Sequence, residues 1–209
     1  MKIAVVCANG KAGKLITEEA VKRGLDVTAV VRGANKTSAP HVIVKDITDL
    51  KAEDLRGFDA VVDAFGIFDP EKFGMHTKTL MILCDALSGS NTRLLVVGGA
   101  GSLYVNPEHT KQLYQTENFP EEYQPLATAQ AHQLAELRKR DDVCWTFVSP
   151  AAVFQPDAPK TGKYILAGEE FTVNSKGESV ISYADYAVAF VDEIMKGNHI
   201  KQRISVLGE

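Results

Sequence analysis

The stretch from Ile3 to Gly13 constrains this 209-residue chain more than any other. Ile3–Val6 is a short apolar run, and Ala8-Asn9-Gly10-Lys11-Ala12-Gly13 makes a turn. A helical pattern then runs through Leu15, Ile16, Ala20 and Val21. Strand, glycine-bearing turn and helix, in that order, build an anion site at the crest of a parallel sheet. Gly10 lets the backbone approach a pyrophosphate, and Gly13 lets the helix pack close to the strand. Free N–H groups and the positive end of the helix dipole then face the phosphates. Asn9, Gly10, Lys11, Ala12 and Gly13 are therefore expected to hold a dinucleotide. The competing reading is a βα turn with a structural role only. One position departs from the usual pattern: Cys7 stands where its first glycine is expected.

Strand and helix alternate along the rest of the chain. Gly24 ends the first helix, and strands are expected at Asp26–Val31, His41–Lys45 and Asp59–Asp63. A short helix is expected near Leu50–Arg56. Leu80, Leu83, Cys84 and Leu87 recur at i, i+3, i+4 and i+7 on a helix ending near Gly89. Further strands are expected at Arg93–Val97 and Cys144–Val148, with a helix from about Glu121 to Arg140 between them. Continuous apolar runs mean strands buried on both faces, hence a doubly wound parallel α/β sheet of Rossmann type. We expect one domain over residues 1–209, with no linker and a core of useful size. Within it, about 151–181 reads as a loop-rich insertion, a small C-terminal subdomain on the substrate side. There Pro156, Pro159, Gly162 and Gly168 punctuate short strands at Phe171–Val173 and Ser179–Ile181. Ser182 then caps a helix, with Asp185 as capping-box partner, and Arg203–Val206 is a last strand.

Several residues align with a dinucleotide. Arg32 ends the second strand, 19 positions after Gly13. A site for NAD usually places an acid there to hold the ribose hydroxyls. A guanidinium instead suits a 2′-phosphate, so NADP(H) is expected over NAD(H); the bland alternative is a solvated charge. Asp46 and the adjoining Ile47 fall where the adenine would lie, unless Asp46 only forms a turn. Ala64, Phe65 and Gly66 follow the fourth strand and would line the cofactor. Gly98 and Gly99 lead a Gly-Gly-Ala-Gly-Ser run after the fifth, where glycines permit close ligand approach. Ser102 in that run is the best-placed hydroxyl near a nicotinamide, or else a loop serine. Pro150 would border the nicotinamide pocket. Tyr104, Tyr123, Phe154 and Tyr164 are candidates for a flat aromatic wall.

The runs at 7–13, 30–32, 96–102, 145–151, 161–164 and 181–187 resemble the atypical short-chain dehydrogenases. The group they are most similar to is the NAD(P)H-binding one of the NADH-flavin reductases, related to biliverdin-IXβ/flavin reductase. The resemblance covers nearly the whole chain. It implies a Rossmann sheet, a reduced nicotinamide nucleotide and a flavin or other flat redox acceptor. The departures are specific. Tyr123 is followed by Ala127 where a lysine would complete Tyr-x-x-x-Lys. Alcohol–ketone chemistry by that pair is therefore not expected. Cys7, Asn9 and Ser149 replace the group's usual glycine, Thr or Ser, and arginine. Asn9 retains the capacity to bond a phosphate or the loop backbone.

Composition narrows the alternatives. A net charge of −4 gives no electrostatic reason to expect nucleic acid. Arg138-Lys139-Arg140 is followed by two aspartates and reads as a helix end. Cys7, Cys84 and Cys144 read as buried reduced thiols, although Cys7 at a helix entrance is a candidate for a favoured thiolate. No histidine spacing suggests a metal, and His132 faces either the pocket or solvent. No signal peptide and no membrane-length apolar run are seen, so a cytoplasmic monomer or homodimer is expected.

Two functions follow. One is an oxidoreductase passing hydride from NADPH to a flat acceptor, FMN or FAD among the candidates. The other is an NADP(H)-binding redox sensor without catalysis.

Overall fold

The computed structural model describes residues 1–209. Ten strands and five α-helices alternate in the order β1 (Lys2–Val6), α1 (Lys11–Lys22), β2 (Asp26–Val31), β3 (His41–Val44), α2 (Ala52–Leu55), β4 (Ala60–Asp63), α3 (Met75–Leu87), β5 (Arg93–Val97), α4 (Gln124–Leu137), β6 (Cys144–Ser149), β7 (Val153–Gln155), β8 (Ile165–Ala167), β9 (Val180–Ser182), α5 (Tyr183–Lys196) and β10 (Gln202–Leu207). Eight strands form one sheet in the order β3-β2-β1-β4-β5-β6-β10-β8, and β7 pairs with β9 in a second, two-stranded sheet. All pairs in the large sheet are parallel except β10 with β8.

The apolar runs explain the layering. Alternate side chains of a strand point to opposite faces. Ile3, Val5, Val27, Val62 and Ile204 pack on one face with α1 and α5. Ala4, Val6, Val61, Leu94, Val96 and Phe147 pack on the other with α2, α3 and α4. Helices on both faces make this a doubly wound α/β fold.

The tail and the second half differ from the sequence expectation in detail. Phe171–Val173 is not a strand. Glu170, just before it, forms an isolated bridge with Tyr104, and Phe171 N–H donates to the Tyr104 carbonyl at 2.8 Å. No neighbouring strand extends that pairing. The expected helix from Glu121 to Arg140 is shorter. A 3-10 turn at Glu121–Tyr123 precedes α4, and Pro125 lies in the first turn of α4. Proline lacks the N–H that an earlier helical start would require, and it suits the first turn.

Candidate functional site

The order of strands reverses between β1 and β4. From β1 the chain winds outward through β2 and β3, then returns to β4 and winds the other way. In open α/β sheets the crevice for ligands lies at the carboxyl ends of strands flanking such a reversal. Here those ends carry the β1–α1 turn, Ala64–Gly66, Gly98–Ser102 and Ser149–Pro150.

The β1–α1 turn is built for close approach. Gly10 is the N-cap of α1, with no side-chain cap and no acid in the first turn. The first helical N–H groups therefore lack intrahelical and capping partners and carry the positive end of the dipole. At Gly13 a Cβ would lie 2.6 Å from the Cys7 carbonyl oxygen and 3.1 Å from Ala8 Cα. Both are backbone atoms, so only glycine lets α1 sit this close to β1. At Gly10 a Cβ would meet the same carbonyl at 3.2 Å. This cradle fits a pyrophosphate.

Cys7 occupies the left-handed region at φ 61°. Its N–H donates to the Val30 carbonyl at 3.0 Å and its carbonyl accepts from Gly10 N–H at 2.9 Å. The favoured thiolate does not materialise. Burial, with Asp63 second, pushes the Cys7 thiol up to about 12. All three cysteines are free thiols.

Asn9 is committed to the protein. Its Nδ2 donates to the Ala34 carbonyl at 2.9 Å and its Oδ1 accepts from Lys36 N–H at 2.8 Å. It ties the turn to the loop after β2, so the loop-backbone alternative prevails over a phosphate contact by its side chain. Lys11 is exposed and Ala12 half-buried beside it.

Arg32 stands at the crest of β2 with its side chain 83% exposed, and Asp46 Oδ2 lies 4.0 Å from its Nη1. Asp46 forms the turn that was its alternative reading. Its Oδ1 accepts from Thr48 N–H at 2.9 Å and Thr48 Oγ1 at 2.8 Å. Those two bonds hold the Asp46 carboxyl below its ordinary range. Oδ2 stays turned toward Arg32. Ile47, expected beside the adenine, has its side chain buried in the core in one cluster with Val30 and Leu50.

On the other side of the reversal, Ala64 packs its methyl group near Gly13. Phe65 is half-buried and Gly66 exposed. Gly98, Gly99 and Gly101 lie outside the positive-φ region, and packing restricts Gly98 and Gly101, whereas at Gly99 the obstacle is the movable end of Gln130. A Cβ would meet the Phe147 ring at 2.1 Å from Gly98, the Gln130 amide oxygen at 2.1 Å from Gly99, and Ala127 Cβ at 2.6 Å from Gly101. β6 and α4 thus come close to these positions. Ser102 is turned inward. It is 3% exposed, and Arg203 Nη1 donates to its Oγ at 3.3 Å. Arg203 is itself buried against Glu169. The hydroxyl therefore anchors the loop and is not presented at the surface of the crevice.

Pro150 is buried. The strand leading to it is fixed by Tyr186, whose hydroxyl donates to the Val148 carbonyl at 2.8 Å. The four aromatics do not make one wall. Tyr104 stacks on His109 at 4.5 Å between centroids, Phe154 stacks on Tyr183 at 3.7 Å, Tyr164 donates to Asp192, and Tyr123 is exposed. His132 faces solvent, near Thr77 and Glu136. No group of three or more His, Cys, Asp or Glu is gathered as a metal site, and no helix is long and apolar enough to cross a membrane.

Sequence reading missed Asp63 and Gln130. Asp63 lies inside an apolar strand run that conceals a carboxyl. Gln130 is one of five glutamines from residue 112 to residue 133 with no pattern to single it out.

Residues 7–194 match the NAD(P)H-binding family. The YwnB protein of Bacillus subtilis (strain 168) is 46% identical, the alignment covering 100% of this chain and 99% of YwnB. The crystal structure of SP1627, a "putative NADH-flavin reductase" from Streptococcus pneumoniae TIGR4, superposes with a TM-score of 0.98 at 56% identity, covering all of both chains. A protein from Burkholderia pseudomallei is similar at 35% identity and a TM-score of 0.87, over 99% of each chain. By this match over most of its length, and by the cradle that its sequence and fold build together, the chain belongs to the NAD(P)H-binding family of Rossmann-type α/β proteins.

Proposed function

We propose that this protein is an NAD(P)H-dependent reductase that delivers hydride to a flat acceptor such as a flavin or a quinone. The observation that carries the reading is the uncapped N-terminus of α1 behind the Gly10–Gly13 cradle, at the β1–β4 reversal. The bound nucleotide would supply the hydride, and the chain's residues would hold and orient it. Backbone N–H groups of Lys11, Ala12 and Gly13 would take the pyrophosphate. Ala64, Phe65 and Gly66 would line one side and Gly98, Gly99 and Pro150 the nicotinamide half. Ser102 would act through the loop it anchors. Orientation and exclusion of water are then the protein's main contribution. Flat redox molecules suit a site without a Tyr-x-x-x-Lys pair, because solvent can supply the proton after hydride has moved.

Arg32 supports a preference for NADP(H). Its guanidinium is exposed, and its nearest acid lies at the limit of an ion pair. A charge-assisted contact is worth about 1.5–3 kcal/mol. Arg32→Glu should therefore weaken NADPH at least about tenfold more than NADH, read by titration of each nucleotide. Equal losses on both would remove the 2′-phosphate contact from the reading.

One observation favours a second reading, an NADP(H)-binding sensor. The hydroxyl closest in sequence to the nicotinamide end, Ser102, is buried and held by Arg203. NADPH consumption with FMN or a quinone separates the two. Turnover selects the reductase; tight binding without turnover on either acceptor selects the sensor.

A further inference from the structure

Asp63 is the last residue of β4, paired in register with Val6 of β1. The dinucleotide turn begins at the next residue along β1. Its neighbour Ala64 donates its N–H to the Val6 carbonyl at 3.2 Å and packs its Cβ close to Gly13. Asp63 is therefore one residue from the wall of the phosphate cradle on both strands. Its side chain shares a face with Val61, toward α3. It is 1% exposed. Oδ1 accepts from Phe65 N–H at 3.0 Å, bending the chain out of β4 into the segment that lines the crevice. Oδ2 is buried and has no partner.

A buried carboxylate normally has its charge matched by a cation or by several donors. No cation faces this one. Cys7 in the β1–α1 turn and Cys84 on α3 both feel its charge. Both thiols are pushed up to about 12 by burial and stay neutral. His76, also on α3, packs edge-on against Phe65 and donates its Nε2–H to the Ile67 carbonyl at 3.2 Å; burial moves its pKa down, so it too is neutral near and above pH 7. The Val96 side opposite on β5 is apolar. Arg32 and Asp46, further out on the β2 and β3 crest, act on Cys7 and oppose each other there. Burial raises the Asp63 carboxyl to about 7.

Two physical demands then meet at one place. The cradle concentrates positive potential for a dianionic pyrophosphate. An ionised Asp63 would put a poorly screened negative charge behind the same turn, whereas a neutral one would not. We infer that Asp63 is a positioning residue for the nucleotide, holding the Ala64–Gly66 wall through Phe65 and admitting the pyrophosphate best in its protonated form. Nucleotide binding and proton binding at Asp63 are then coupled in the favourable direction. This inference rests on the dinucleotide reading of the cradle.

NADH is the probe, because it has no 2′-phosphate to titrate near neutrality. Its Kd should rise about tenfold for the wild type between pH 6 and pH 8.5, a limit of one decade per pH unit above the midpoint of Asp63. Asp63→Asn should bind NADH with little pH dependence. A second measurement uses the wild type alone, by calorimetry at pH 7.5 in buffers of different ionisation enthalpy. Net proton uptake on NADH binding is expected. A flat Kd and zero uptake in the wild type, or a wild-type slope retained by Asp63→Asn, would overturn the assignment while leaving the cradle intact. Failure of the wild type to bind NADH or NADPH at any pH would instead overturn the dinucleotide reading, and this inference with it.

Discussion

Cys7 holds a backbone conformation that an L-residue adopts at a cost of about 1–2 kcal/mol and that glycine adopts freely. Its φ of 61° puts the carbonyl where Gly10 N–H can reach it and where α1 closes over Gly13. A γ-sulfur is tolerated there, but branching at Cβ adds a further clash. Cys7→Val should therefore lower the free energy of unfolding by at least about 1 kcal/mol more than Cys7→Gly does, compared by urea denaturation. Equal losses would mean that φ at this position is not what limits the choice of residue. The need for Gly13 was legible in the sequence because the strand–turn–helix pattern calls for a residue without Cβ. At Gly98, Gly99 and Gly101 packing inside the protein adds a demand that the sequence does not show. Their neighbours, Phe147, Gln130 and Ala127, come from distant segments that no local reading brings together.

Elements were legible where periodicity ran long enough. The run Leu80, Leu83, Cys84 and Leu87 lies on the buried face of α3. β7 and β8 are three residues each and largely exposed or half-buried, too short for a period of two to register. The start of α5 shows a half-correct motif. Ser182 Oγ accepts from Asp185 N–H at 2.9 Å, as a capping box requires. The reciprocal arm is absent. Asp185 turns its carboxylate instead to Thr161 N–H, Thr161 Oγ1 and Gly162 N–H, at 2.7–2.9 Å for the closest contacts, and to Ser182 Oγ at 3.0 Å. One buried acid thus pins the loop of residues 161–162 to the helix start. Ser182→Ala should cost about 1 kcal/mol, and Asp185→Ala about 2–3 kcal/mol, since charge-assisted bonds to buried donors are lost. The double variant should lose less than the sum, because the two side chains bond each other. Strict additivity in urea melts would show that loop and cap are independent.

The whole molecule should be most stable on the acid side of neutrality. Asp63 has its folded value raised to about 7 from an ordinary value near 4. The stability of its neutral form is fully present below about 4 and is lost as pH rises through about 7. Glu19 and Asp192 run the other way. Bonds from Lys160 and Arg23 to Glu19, and from Tyr164 and Arg23 to Asp192, outweigh the opposing effect of burial and hold both carboxyls down, so their contribution disappears as pH falls. The maximum should lie between about pH 4 and 7. Asp63→Asn should gain on the wild type progressively between those limits and hold a constant lead above them, followed by urea melts across pH. A lead independent of pH would mean that the carboxyl does not titrate in this window. The sequence alone determined the alternation of strand and helix, the parallel sheet and the place of the glycine turn between β1 and α1. These follow from local periodicity and from glycines adjacent in the chain. Tertiary structure decided which polar groups remain free for a ligand. Asn9, Asp46 and Ser102 are engaged by Ala34 and Lys36, Thr48 and Arg203, whereas Asp63 keeps one carboxylate oxygen without a partner inside the core. Hydrogen-bond partners from remote strands and loops satisfy or strand a side chain, and that outcome is set only when the layers close.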